Sequence, residues 1–170
     1  MIRPADPRDA AGIARVHVRS WQETYPGLIS QDYLDALDVR ARTERWNRAL
    51  AAGRETVFVA ERGGEIVGFS SGGPPQQPEL GYASELYALY LMRSSQGSGI
   101  GRQLFERFAD SMRQRGHENL YCWVVRGNPT AAFYRHVGGE QREEKAIEIG
   151  GRLITEDLFL WQLAFVRATK

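Results

Sequence analysis

The spacing of apolar residues changes from a helical to an extended pattern about a third of the way along the chain. Up to Gly53, apolar side chains recur at every third or fourth position, as on the buried face of a helix. Asp6-Pro7 is typical of a helix start and Gly53 of a helix end. From residue 56 onward, short apolar runs separated by glycine-containing turns are typical of strands. The pattern predicts helices over residues 7–20 and 40–52, a short helix after Ser30, and a hairpin of residues 56–60 and 66–69.

The second half of the chain alternates predicted strands and helices. A strand-like run over residues 86–92 leads through a glycine-rich turn into a helix, whose apolar stripe consists of Leu104, Phe105, Phe108, Ala109 and Met112. The remaining elements are strands over residues 120–125, 146–149 and 153–163, and a short helix after Asn128-Pro129. With Ile2-Arg3 as a first strand, this order predicts a mixed α/β (α+β) fold in a single domain over residues 1–170.

Composition narrows the class of protein. The 170 residues are 42% apolar and 25% charged, which is ordinary for a globular domain. The net charge of +1 disfavours a protein built to bind nucleic acid. The single cysteine, Cys122, excludes an internal disulfide and fits a reducing cytoplasm. No apolar run approaches the roughly 20 residues that a membrane-spanning helix needs, so we expect no membrane partner.

The most informative segment is the glycine-rich turn Gln96-Gly97-Ser98-Gly99-Ile100-Gly101. Between a strand and a helix, such a turn exposes successive backbone N–H groups beside the positive end of the helix dipole, and this suits a phosphate or diphosphate. The third glycine of a Rossmann Gly-x-Gly-x-x-Gly motif is absent, and so is the Gly-Lys-Ser/Thr of a P-loop. The alternative is a helix entry whose glycines serve only close packing.

Two motifs in order resemble the GNAT superfamily of N-acetyltransferases. The turn at residues 96–101 is similar to the family's Gln/Arg-x-x-Gly-x-Gly/Ala loop, and residues 128–138 are similar to its Asn…Ala…Phe-Tyr…Gly segment. Gly139 departs from the pattern, because the family usually has Phe after the glycine that corresponds to Gly138. The resemblance implies a mostly antiparallel sheet of about six to seven strands, splayed in the middle and flanked by about four to five helices. It also implies acetyl-CoA as cosubstrate and no metal.

The resemblance carries cofactor-binding roles onto particular residues. The turn residues Gln96, Gly97, Ser98, Gly99, Gly101 and Arg102 would bind the diphosphate. Main-chain groups of Leu89 and Leu91 would pair with the pantetheine arm, and Asn128 would bind that arm near the opening between the two central strands. Arg93 is a further candidate phosphate partner, and for both arginines a solvated surface charge is the alternative.

Acyl transfer from a thioester to an amine needs a base and an acid. An amine with a pKa of about 10.4 is mostly protonated at neutral pH, and the leaving thiolate departs more easily with a proton. Glu85 is the candidate base, and extended geometry predicts that it shares a face with Tyr87, Leu89 and Leu91. Tyr134 is the candidate acid, because a phenol is protonated at pH 7. The alternatives are a solvent-exposed or substrate-binding carboxylate for Glu85 and a core tyrosine for Tyr134.

Four aromatic residues, Trp21, Tyr25, Tyr87 and Trp123, are candidates for the acceptor pocket, although aromatic side chains are also common in cores. Cys122 raises the alternative of an acetyl-cysteine intermediate, which would need an activating base nearby. His17, His117 and His136 show no metal-ligand spacing, so no metal site is predicted.

These observations together predict a cytoplasmic N-acetyltransferase that moves an acetyl group from acetyl-CoA directly to a primary amine. The acceptor is left open. A non-catalytic acyl-CoA-binding module and an acetyltransferase acting on aminoacyl-tRNA are the alternatives. The resemblance also leaves a homodimer open.

Overall fold

The computed structural model describes residues 1–163, which form seven strands and five α-helices. The strands are β1 (Ile2–Pro4), β2 (Thr56–Arg62), β3 (Glu65–Gly73), β4 (Glu85–Leu91), β5 (Asn119–Val125), β6 (Glu140–Ile149) and β7 (Arg152–Gln162). The helices are α1 (Ala10–Thr24), α2 (Gln31–Asp35), α3 (Val39–Ala52), α4 (Ile100–Gln114) and α5 (Ala131–His136). The predicted mixed α/β fold is confirmed, and the last strand ends at Gln162, one residue before its predicted end.

The strands form one sheet in the order β1-β2-β3-β4-β5-β7-β6. Every neighbouring pair is antiparallel except β4 and β5, which run parallel. In the described chain these two strands pair in register only at Glu85 and Tyr121, next to the hydrogen bond from Tyr121 N to Ser84 O at 3.0 Å. Beyond that point β4 and β5 diverge, so a gap opens in the middle of the sheet, as the resemblance implied.

A β-bulge interrupts β4 at Tyr87. Ser71 of β3 is opposite Ala88 and Gly72 is opposite Leu86, so Tyr87 is the extra residue. Leu89 and Leu91 pack in the core beneath α4, whereas Glu85 reaches the opposite face of the sheet, where it contacts Tyr121. The prediction that Glu85 shares a face with these two leucines was therefore wrong, because the bulge shifts the side-chain alternation between them.

Helices cover both faces of the sheet. The predicted stripe of α4 is almost fully buried on one face, and α1 and α3 cover the first half of the other, around Ile13, Trp46 and Phe69. None of the helices within residues 1–163 combines the length and apolar content required to cross a lipid bilayer.

Some boundaries differ from the predicted ones for identifiable reasons. Helix α1 continues past Ser20 to Thr24, where Trp21 packs edge-on against Tyr25 at a centroid distance of 5.1 Å. It ends there because the residue before Pro26 is disfavoured in the helical conformation. Strand β6 begins at Glu140, well before the predicted start at residue 146. Its first half is exposed and charged, so it has no apolar alternation in the sequence, and pairing with β7 makes it a strand.

Gly139, the residue that departs from the family pattern, lies against Trp161. An ideal Cβ at Gly139 would be 2.6 Å from Trp161 Cζ2 and 2.8 Å from the carbonyl oxygen of Tyr134. The Trp161 indole is fixed by a hydrogen bond from Nε1 to Val137 O at 3.0 Å. The tryptophan therefore occupies the space that a side chain at position 139 would need.

We expect Gly139→Ala to lower the free energy of unfolding by about 1–3 kcal/mol, because the added methyl group overpacks this site. Urea denaturation followed by circular dichroism measures the change. Gly101→Ala is the matched control: its Cβ would lie at an ordinary 3.6 Å from Leu91 Cδ1, and helix propensity favours alanine there. Equal stability of the two variants would contradict the packing argument.

His17 lies in a buried aromatic cluster under α3. Its ring stacks on Tyr90 at a centroid distance of 5.3 Å, and Trp46 Nε1 donates to its Nδ1 at 3.4 Å. Burial, together with the positive charges of Arg42 and Arg45, lowers the pKa of His17 to about 3. The folded protein therefore holds this imidazole neutral at a pH where the unfolded chain protonates it.

We expect the contribution of His17 to the free energy of unfolding to fall by about 2 kcal/mol between pH 7 and pH 5, because only the unfolded state binds this proton in that range. The loss begins near pH 6.5 and continues down to the folded-state pKa. Urea titrations of wild type and His17→Phe at both pH values test this. Equal pH dependence of the two proteins would show that His17 is not the cause.

Candidate active site

A cavity of about 530 Å³ occupies the gap between β4 and β5. It extends from the glycine-rich turn and α5 at one end to the end of α1 at the other. The predicted residues on its wall are Tyr25, Tyr87, Leu89, Leu91, Gln96, Gly97, Gly99, Gly101, Arg102, Trp123, Asn128 and Tyr134. Trp21, Glu85 and Ser98 are not among the lining residues.

The glycine-rich turn has the geometry of an anion site. Gly97 and Gly99 have φ angles of 71° and 81°, which L-residues rarely adopt. No atom lies within 4 Å of an ideal Cβ at Gly97, and the nearest to that of Gly99 is Gln103 Nε2, at 4.0 Å. Within residues 1–163, the amides of residues 97–101 donate no hydrogen bond to a protein acceptor. These amides and the start of α4 therefore fit a diphosphate group.

The polar side chains of the turn serve mainly to shape it. Ser98 Oγ donates to Ser95 O at 2.6 Å, and Gln96 Nε2 lies 3.5 Å from Leu91 O. Arg102 Nε forms an ion pair with Glu106 Oε1 at 2.7 Å on the exposed face of α4. Ser98 thus braces the turn, and Arg102 is held at the edge of the cavity.

The edge of β4 that faces the gap presents main-chain groups of Leu89 and Leu91. Met92 N donates to Val67 O of β3, so every second residue of this strand, counted back from Met92, is hydrogen-bonded to β3. Leu89 and Leu91 alternate with these residues and therefore direct their N–H and C=O groups toward the gap. Ser20 Oγ donates to Leu91 O at 3.2 Å and lies on the cavity wall. Ser20 was not among the site residues predicted from the sequence. A small polar residue on the otherwise apolar face of α1 is the signal that could have identified it.

Asn128 connects the start of α5 with the end of α1. Its Oδ1 accepts from Thr130 N at 2.9 Å, and its Nδ2 lies 3.4 Å from Tyr25 Oη. Burial is the main cause that raises the pKa of Tyr25 well above 10, and Tyr90 adds to it. Both side chains are buried on the wall of the cavity, where they can contact a bound molecule.

Tyr134 presents a neutral phenol to the cavity. Its ring packs against Phe133, Phe159 and Trp161 at centroid distances of 5.2, 6.0 and 5.8 Å. Burial raises the pKa of Tyr134 well above 10. At neutral pH this hydroxyl can therefore donate a proton but is not a base.

Glu85 is buried beside the cavity rather than exposed to solvent. Only 5% of the residue is accessible, and its Oε2 accepts from Tyr121 Oη at 2.6 Å and from Gln76 N at 2.7 Å. Oε1 accepts no hydrogen bond from residues 1–163. Burial is the main cause that raises the pKa of Tyr87 to about 12, and the negative charge of Glu85 adds to it. The carboxylate thus acts on a residue of the cavity wall without lining it.

Cys122 is an inert thiol at this site. It lines the cavity but is 1% accessible, and burial raises the pKa of its thiol well above 9. A thiol without a thiolate fraction is a poor nucleophile, so an acetyl-cysteine intermediate is disfavoured. Within residues 1–163 no group of three or more His, Cys, Asp or Glu could hold a metal ion.

The aromatic candidates have different positions. Tyr87 Oη donates to Pro74 O and Trp123 lines the gap, whereas Trp21 lies behind Tyr25. Tyr90 and Phe133 also line the cavity, although neither was a predicted site residue. Their apolar neighbours in sequence made them indistinguishable from core residues.

Comparisons with known proteins agree with the fold and the turn. Residues 15–138 match the model of the acetyltransferase (GNAT) family. The N-acetyltransferase YuaI of Bacillus subtilis is 36% identical over 156 residues, which cover 91% of this chain and 88% of that protein. Among solved structures, yncA of Salmonella typhimurium with acetyl-CoA has 23% identity and a TM-score of 0.74, covering 100% of this chain and 97% of its own. The paiA N-acetyltransferase of Thermoplasma acidophilum, in complex with coenzyme A, has 21% identity and a TM-score of 0.73, covering 92% and 96%.

The chain belongs to the GNAT family of acetyltransferases. It is an acetyltransferase. The open amides of residues 97–101 and the cavity beside them fit a diphosphate-containing cosubstrate.

Proposed function

We propose that this enzyme transfers the acetyl group of acetyl-CoA directly to a primary amine. Two neighbours of the same fold, solved with coenzyme A and with acetyl-CoA, support this donor. The observation that carries the proposal is the single cavity between β4 and β5, because it joins the open amides of the glycine-rich turn to Tyr134 and to the aromatic acceptor end. Direct transfer needs both reactants in one space, and the buried thiol of Cys122 favours it over a covalent enzyme intermediate.

Tyr134 would protonate the leaving sulfur. Its neutral phenol borders the cavity, and its ring is held by three aromatic neighbours, so the hydroxyl is positioned before the reaction begins. The amides of Leu89 and Leu91 would hold the pantetheine arm along the free edge of β4. An N–H group at Leu91 would stabilise the negative charge that develops on the thioester oxygen.

Glu85 would accept the proton of the attacking amine through a water molecule. The free Oε1 and the burial of the carboxylate support this role, and the absence of Glu85 from the cavity wall favours the water-mediated route over direct contact. Tyr25, Tyr87 and Trp123 would form the walls around the acceptor, and Trp21 would support Tyr25 from behind.

A thiol-release assay with acetyl-CoA and a panel of amines tests the proposal. The panel contains small amines, amino acids, peptide N-termini and lysine peptides, and calorimetry with coenzyme A is run in parallel. Thiol release that depends on an amine supports the proposed reaction. Coenzyme A binding without thiol release from any amine would favour the non-catalytic module. Salt-dependent binding of RNA, together with acetylation of aminoacyl-tRNA, would favour an acetyltransferase that acts on aminoacyl-tRNA.

A further inference from the structure

A lysine side chain fills a small polar site behind the acceptor end of the cavity. Lys145 Nζ lies 4.1 Å from the centroid of the Trp123 ring, 3.5 Å from Glu156 Oε2, and donates to Gln77 Oε1 at 2.8 Å. An aromatic face, a carboxylate and an amide oxygen are the groups that recognise a primary ammonium. The three residues therefore form an ammonium cage, which in this structure holds a side chain of the same protein.

The ammonium cage adjoins the proposed acceptor pocket. Trp123 belongs both to the cage and to the cavity wall. Glu156 is opposite Val125 of β5 in the sheet, and only 15% of its side chain is exposed. Burial is the main cause that raises the pKa of Tyr25 and Cys122, and the negative charge of Glu156 adds to both. The carboxylate of the cage is therefore close enough to act electrostatically on two residues of the cavity.

The ammonium cage is also linked to Glu85. Gln77 supplies the amide oxygen of the cage, and the preceding residue, Gln76, donates its N–H to Glu85. The same short loop thus contacts the proposed base and the cation. A charge placed in the cage lies next to the groups that would receive the acceptor.

The identity of the cation supports a site selective for ammonium. Lys145 and Lys170 are the two lysines among the 22 basic residues of the sequence, and all the others are arginines. The ammonium of lysine is a compact charge that contacts the ring, the carboxylate and the amide oxygen together, and it is the same group that a cationic amine acceptor carries. The basic residue at this position is therefore one of only two lysines in the sequence.

We propose that Trp123, Glu156 and Gln77 form an ammonium subsite of the acceptor pocket, which Lys145 fills and so closes to a second cationic group of the acceptor. This proposal rests on the proposed function for the location of the acceptor. Its consequence is a preference for acceptors whose only cation is the reacting amine. Lys145 is then a specificity-determining residue, and its removal should open the pocket to diamines.

Calorimetry with matched amines tests the proposal. Wild type and Lys145→Met are titrated, with and without coenzyme A, with diamines from propane-1,3-diamine to octane-1,8-diamine and with the n-alkylamines of equal length. Methionine keeps an unbranched stem over Trp123 but removes the charge. We expect Lys145→Met to bind at least one diamine about tenfold or more tightly than its matched monoamine, since the second ammonium gains the ring and the carboxylate. We expect wild type to show no such preference.

Two control variants separate this effect from a general change in charge. Lys145→Arg keeps the positive charge and should behave like wild type. Lys145→Met combined with Glu156→Gln removes the carboxylate and should lose the diamine preference. Equal affinity of Lys145→Met for both members of every pair would overturn the proposal, and so would acetylation of Lys145 itself by acetyl-CoA, detected by peptide mass spectrometry. Failure of the proposed function would be seen separately, as a lack of amine-dependent thiol release by wild type.

Discussion

We expect Glu85→Gln to lower the turnover number by about 10²–10⁴-fold with a good amine acceptor, because the variant loses the group that accepts the amine proton. Glutamine can keep both hydrogen bonds that Glu85 accepts. Both hydrogen bonds to Glu85 end on Oε2, so a glutamine whose oxygen occupies that place keeps Tyr121 Oη and Gln76 N as donors. Only the free oxygen becomes an amide nitrogen. Steady-state thiol release across a range of pH values measures the effect.

The matched control for Glu85 is Tyr121→Phe. It removes one hydrogen bond but leaves the carboxylate, so we expect a much smaller loss of turnover, within about tenfold. Calorimetry with coenzyme A should give similar affinities for both variants and wild type. Unchanged turnover and an unchanged pH profile in Glu85→Gln would remove Glu85 from the role of base.

Tyr134→Phe should lower the turnover number by about 10²-fold or more while the protein stays folded, because only the hydroxyl is lost. The phenylalanine ring keeps the contacts with Phe133, Phe159 and Trp161. Because burial raises the pKa of Tyr134 well above 10, the phenol stays protonated through neutral and mildly alkaline pH. Wild type should therefore show no alkaline loss of activity from this group below about pH 10.

A donor with a better leaving group distinguishes proton donation from packing. An acetyl thioester of a more acidic thiol needs less help from an acid, so the difference between wild type and Tyr134→Phe should shrink with it. Tyr25→Phe is the control, since it removes a second buried hydroxyl of the cavity and should cost less than about tenfold. Turnover of Tyr134→Phe within twofold of wild type would argue against proton donation.

Local chemistry explains why so much of the fold could be predicted. The stripe of α4 is visible as an apolar period of 3.6 residues, and the turn at Gly97 and Gly99 requires left-handed backbone that glycine adopts most readily. The hairpin turn at Gly63-Gly64 also needs left-handed backbone, which glycine adopts most readily. Each of these features depends on residues close together in the chain, so each leaves a signal in a short window of sequence. Two such windows in the right order were enough for the family resemblance.

Long-range pairing explains what could not be predicted. The bulge at Tyr87 arises from the register between β3 and β4, and no residue of β4 alone reveals it. It changes the face on which Glu85 lies, which is why a simple alternation predicted the wrong neighbours. Gly139 is a similar case, because the space beside it is filled by Trp161 of β7, which is distant in sequence.

The elements, the glycine-rich turn and the family can be read from the sequence alone, because local backbone preferences and side-chain periodicity set them. The folded arrangement is needed to bring the candidate acid and the turn into one cavity, to bury the candidate base next to it, and to rest Lys145 on Trp123. These relations depend on how strands distant in sequence meet in the sheet, and on the divergence of β4 from β5 after one registered pair.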